Sequence, residues 1–69
     1  MAYALHRAGQ WITTAPLQQP LLSTECRQAF PHWTVDSALE HASVLRMAFG
    51  ITVEIQSLTA SHYRRHGSH

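Results

Sequence analysis

At 69 residues the chain lies near the lower limit for independent folding: a domain of this size buries only about 60% of the surface its unfolded chain exposes, which leaves room for one small core. Five arginines and no lysine against four acids give a formal net charge of +1, too little to neutralise a run of phosphates and too balanced to imitate a nucleic acid with carboxylates. Cys26 is the single cysteine, which excludes an internal disulfide and reads as a small buried hydrophobe, and no run approaches the ~20 apolar residues of a membrane span.

Met1 to Pro16 lacks the apolar centre of a signal peptide, so a cytoplasmic location is expected. Tyr3–Arg7 and Gln10–Thr14 are rich in aromatic and β-branched residues and flank Ala8-Gly9, the pattern of a β-hairpin. Because Ala8 disfavours positive φ, a loop slightly longer than two residues is expected, with Gly9 in the left-handed position. From Ala15 to Leu22 two prolines and two glutamines dissolve the pattern into a surface loop. The next stretch has two readings. Ser23 or Thr24 caps a short helix that ends before Pro31, or an irregular loop pins Leu21, Leu22 and Phe30 onto the core.

Trp33–Val35 reads as an extended approach to the principal helix. Ser37-Ala38-Leu39-Glu40 has the spacing of a capping box, so Asp36 or Ser37 is the expected cap and Phe49 the last helical residue, with Gly50 as a left-handed stop. Asp36 and Glu40 at the start and Arg46 near the end complement the helix dipole. Ala38, Ala42, Leu45 and Phe49 form the core stripe; Val44 and Ala48 widen it, and Met47 lies nearly opposite. Ile51, Val53 and Ile55 then alternate with Thr52, Glu54 and Gln56, the signature of a strand buried on one face.

These elements predict an α+β fold. A small antiparallel sheet of three or four strands carries one main helix on one face, in the order β-β-(β)-α-β. Residues 1–58 form the domain and residues 59–69 a basic, histidine-rich tail expected to be flexible.

No motif for catalysis surrounds Cys26 or any serine, and one helix on a small sheet encloses no reaction chamber, so no enzymatic activity and no cofactor are expected. His62, His66 and His69 have ligand-like spacing, but a closed zinc site needs a fourth ligand, so no metal is expected. The favoured function is a small protein-interaction module. Its partner-binding candidates are Trp11, Trp33, Val44, Arg46, Met47, Tyr63, Arg64 and Arg65, the residue types that concentrate binding energy together with the surplus apolar arc of the helix. A homodimer paired through sheet edges or through Val44 and Met47 is one expected form. The alternative is a small RNA- or DNA-binding domain that stacks bases on Tyr3, Trp11 and Trp33 and uses Arg64 and Arg65 for phosphates.

Ser37-Ala38-Leu39, Ala42, Gly50-Ile51-Thr52-Val53 and Ile55 resemble the helix-to-strand unit of small phage-encoded inhibitors, including some type I anti-CRISPR proteins. The resemblance implies a cytoplasmic, non-enzymatic inhibitor that blocks a host protein or ribonucleoprotein complex by occupying one of its surfaces. The near-neutral charge sets this chain apart from the acidic inhibitors that mimic DNA.

Overall fold

The computed structural model describes residues 2–58. Four antiparallel strands, β1 (Ala2–Arg7), β2 (Gln10–Ile12), β3 (Leu22–Ser23) and β4 (Glu54–Leu58), form one sheet in the order β3-β2-β1-β4. One helix, α1 (Val35–Phe49), packs on β1 and β4. The α+β class and the single helix on a small antiparallel sheet are as the sequence predicts. No helix among the described residues is long and apolar enough to cross a membrane.

The hairpin is tighter than expected. Arg7 pairs directly with Gln10, so Ala8 and Gly9 alone make the turn, with φ of 50° and 81°. Positive φ at both central residues is the type I′ geometry, whose twist matches that of the strands. Matching the strand twist outweighs the steric cost of a left-handed alanine.

The second strand ends at Ile12, earlier than expected, and the chain leaves the sheet. Pro16 lies inside a tight turn in which Gln18 N–H donates to the Ala15 carbonyl at 3.1 Å. Part of the expected loop returns as β3, whose register is Trp11 with Ser23 and Ile12 with Leu22. The short helix shrinks to a 3₁₀ turn at Cys26–Gln28. Leu21 and Leu22 are exposed and do not pin this segment; buried Cys26 and Ala29 do.

Phe30 to His32 then continues along the line β2 abandoned. Phe30 N–H donates to the Ile12 carbonyl at 2.9 Å, and Tyr3 and His32 exchange two backbone bonds of 2.6 and 2.7 Å. The extended approach is therefore centred on His32, and Trp33 lies beyond it, exposed.

The sheet is covered on both faces. On one side Leu5 and Ile12 meet Ala38 and Leu45 of α1, with Tyr3, Ala42, Ile51, Val53 and Ile55 packed around them. On the other, Ala2, Ala4 and Leu58 meet Cys26 and Ala29, with Trp11 packed against them. The alternation expected of Ile51, Val53 and Ile55 places all three on the helix side, although the paired strand begins only at Glu54.

Helix α1 begins two residues before the expected start. Thr34 is the cap, and its Oγ1 accepts from Ser37 N–H at 3.2 Å. The capping box therefore does not form around Ser37, whose hydroxyl is turned inward instead. At the other end Gly50 adopts φ 69° and its N–H donates to the Arg46 carbonyl, while Ile51 N–H reaches Leu45, the Schellman closure.

Candidate functional site: the outer surface of helix α1 above a buried histidine pair

At about 100° per residue, α1 turns Ala38, His41 and Leu45 to the sheet, and these are its buried residues. Phe49, expected in the core stripe, is exposed, and His41 takes a core position in its place. Among the described residues, one of the four largest fully buried side chains is therefore an imidazole.

His41 is held by a hydrogen-bonded chain. Its Nδ1 lies 2.8 Å from His32 Nε2, and His32 Nδ1 lies 2.7 Å from Ser37 Oγ. The Phe30 ring meets both imidazoles edge to face. The far nitrogen, His41 Nε2, is buried with no hydrogen-bond partner. Each of the two bonds holds one shared proton, so the chain runs in one of two directions. Directed outwards, His41 Nδ1–H donates to His32 Nε2 and His32 Nδ1–H donates to Ser37 Oγ. That direction leaves a bare lone pair at His41 Nε2 rather than an orphaned N–H, the costlier defect, and it is the tautomer assigned here.

In this tautomer His32 is a donor towards Ser37. The chain of Ser37, His32 and His41 thus clasps α1 to the segment that bridges to β1, with both imidazoles buried. Burial pushes the His32 pKa down, and burial together with the neighbouring His32 pushes His41 down to about 4. Both rings are neutral at pH 7.

Above this clasp the helix exposes much apolar surface. Among the described residues eight large hydrophobic side chains are exposed, whereas only Leu5, Ile12, Leu45 and Leu58 of that kind are buried. Five of the eight, Trp33, Val35, Leu39, Met47 and Phe49, belong to α1 or to the residue before its cap. Trp33 is 73% and Met47 80% exposed. On the flank nearer β4, an open groove of about 280 Å³ is lined by Leu39, Ala42, Ser43, Arg46, Thr52 and Val53.

The sequence-derived candidates separate accordingly. Trp33, Arg46 and Met47 are exposed on or beside α1, and Val44 is half-buried at its other flank. Trp11 is half-buried on the far face of the sheet, where its ring meets His6 edge to face at 4.6 Å. Tyr3 lies on the helix side. Tyr63, Arg64 and Arg65, with His62, His66 and His69, fall outside the described residues. Among the described residues no group of three or more potential ligands could hold a metal. A wider open depression of about 640 Å³ at the hairpin end is bordered by His6, Arg7 and Glu54; one Arg7 N–H there is engaged by the Thr52 carbonyl at 3.1 Å.

The exposed flank of Val35 and Leu39 and the clasp of His32 and His41 were not among the sequence-derived candidates. The first was signalled by their i, i+4 spacing. The second carries no local signal, because its partners lie nine residues apart on different elements.

No protein-family model, no curated protein and no solved structure matches the chain.

Proposed function

We propose that the protein is a small protein-interaction module that presents the outer surface of α1 to a partner. It acts by occupying a surface of a host protein or ribonucleoprotein complex, as the resemblance to phage-encoded inhibitors implies. The observation that carries this reading is the inverted distribution of large apolar residues, more of them exposed than buried among the described residues, with five of the eight exposed on α1 or just before its cap. Large apolar side chains exposed along one element offer a partner area whose removal from water favours association. Trp33 and Met47 are the proposed anchors, a large aromatic and an adaptable thioether.

The nucleic-acid alternative is not favoured. Base stacking on a sheet needs an open face, and here α1 covers one face while the segment around Cys26 and Ala29 covers the other.

The test is affinity capture from the source cell with tagged protein, comparing the native chain with Trp33→Ala and Met47→Glu. The reading predicts a defined set of retained proteins that both substitutions deplete while helix content is unchanged. Retention identical in all three would remove α1 as the contact surface.

A further inference from the structure

We infer that two copies of this chain associate about a two-fold axis, β4 against β4, with the Val35–Leu39 flanks of their helices packed together. The inference rests on the reading of α1 as a contact surface, but uses a different part of it from Trp33 and Met47.

Among the described residues β4 has a strand partner on one side only, since the sheet order ends there. Which of its backbone groups face outwards follows from β1. Tyr3 spends its N–H and C=O on His32, on the β2 side. Its partner across the other side, Ser57, therefore belongs to a non-hydrogen-bonded pair. The N–H and C=O of Ser57 point away from β1, and by alternation so do those of Ile55. Among the described residues this edge is open, the kind of template that natural proteins protect or pair.

A two-fold axis perpendicular to the sheet beside Gln56 pairs these groups antiparallel with their copies. It also keeps both helices on the same face of the continuous eight-stranded sheet. Helix α1 packs over β1 and β4, so its axis stands about one strand spacing, ~5 Å, from that dyad. The two helix axes are then ~10 Å apart, within the range of directly packed helices. The flanks that meet are those on the β4 side, where Leu39 and Ala42 line the groove with Val53. Val35, on the same flank, and Leu39 are 46% and 53% exposed, apolar area that this packing removes from water.

Charge agrees with the arrangement. The helices run antiparallel, so the Arg46 end of each is directed towards the acidic first turn of the other, at Asp36. Neither residue has an ion-pair partner among the described residues. Antiparallel dipoles add in the same sense.

Sedimentation velocity of the full purified chain tests this. The native protein is expected to sediment as a dimer at micromolar concentration. Ser57→Pro removes an outward donor without breaking a bond to β1, and Leu39→Glu places a charge on an already exposed position. Each is expected to raise the dimer dissociation constant roughly tenfold or more, about 1.4 kcal/mol, with helix content retained. Trp33→Ala is expected to remain dimeric, so a failure of partner capture and a failure of dimerisation are read separately. A native chain that stays monomeric across the range, or a dimer indifferent to both Ser57→Pro and Leu39→Glu, overturns the inference.

Discussion

His32 Nε2 and His41 Nδ1 lie 2.8 Å apart in the core, joining the residue that bridges to Tyr3 on β1 to the middle turn of α1. The pair is the only buried polar link between sheet and helix among the described residues, and it is built from groups that ionise between neutrality and mild acid. Its consequences reach beyond the local contact, because the hydrophobic core around it is small.

Acid should unfold the protein earlier than a core of aliphatic residues would allow. His41 titrates near 6.5 when unfolded and at about 4 when folded, so between these values the unfolded chain binds more protons. Stability is full above about pH 6.5 and falls progressively as the pH drops towards 4, by roughly 3 kcal/mol for this group. His32 is shifted in the same direction by burial. Thermal melts followed by circular dichroism from pH 7.5 to 4 should show a steep loss of Tm, and His41→Phe should flatten the slope while lowering Tm at pH 7. A native Tm independent of pH over this window would mean that the pair is not buried as described.

The N-terminal cap distinguishes the observed start of α1 from the expected one. Thr34→Ala should cost about 1 kcal/mol through loss of the bond to Ser37 N–H. Glu40→Ala, which would matter if a capping box centred on Ser37 existed, should be close to neutral. Urea denaturation of both variants checks the order.

The hairpin turn stores a small strain that a single substitution should release. Ala8 holds φ 50°, a region asparagine tolerates far better than alanine. Ala8→Asn is expected to stabilise the protein by ~0.5–1 kcal/mol, visible as a higher urea midpoint at unchanged m-value. A lower midpoint would contradict the two-residue turn.

Trp11 separates packing from binding. Its ring leans on His6 and on the cluster of Ala2, Ala4, Cys26, Ala29 and Leu58. Trp11→Ala should therefore cost about 2–4 kcal/mol of stability, a large share of what so small a core supplies. Where the variant remains folded at low temperature, partner capture should match that of the native chain.

The parts legible in the sequence are those whose causes are local. Gly50 stops the helix through its own φ, and the alternation of Ile51, Val53 and Ile55 assigns their face without reference to anything distant. The cap was misplaced because Thr34 and Ser37 both offer a hydroxyl, and only the pull of His32 on Ser37 decides between them. His41 sits three residues after Ala38 and four before Leu45, on the core stripe, yet a histidine there reads as polar surface until His32 is brought beside it from nine residues away. The division of partner candidates was partly legible: the exposure of Met47 follows from helix projection, whereas Trp11 required the second layer formed by Cys26 and Ala29.

The central claim, contact through the outer surface of α1, is tested most directly by a photocrosslinking residue placed at position 47 and, for comparison, at exposed position 27 within the 3₁₀ turn, with irradiation in the source cell. The account predicts a discrete crosslinked species of one partner from position 47 that Trp33→Ala diminishes, and none of that species from position 27. Equal crosslinking from both positions, or none from position 47, would contradict it.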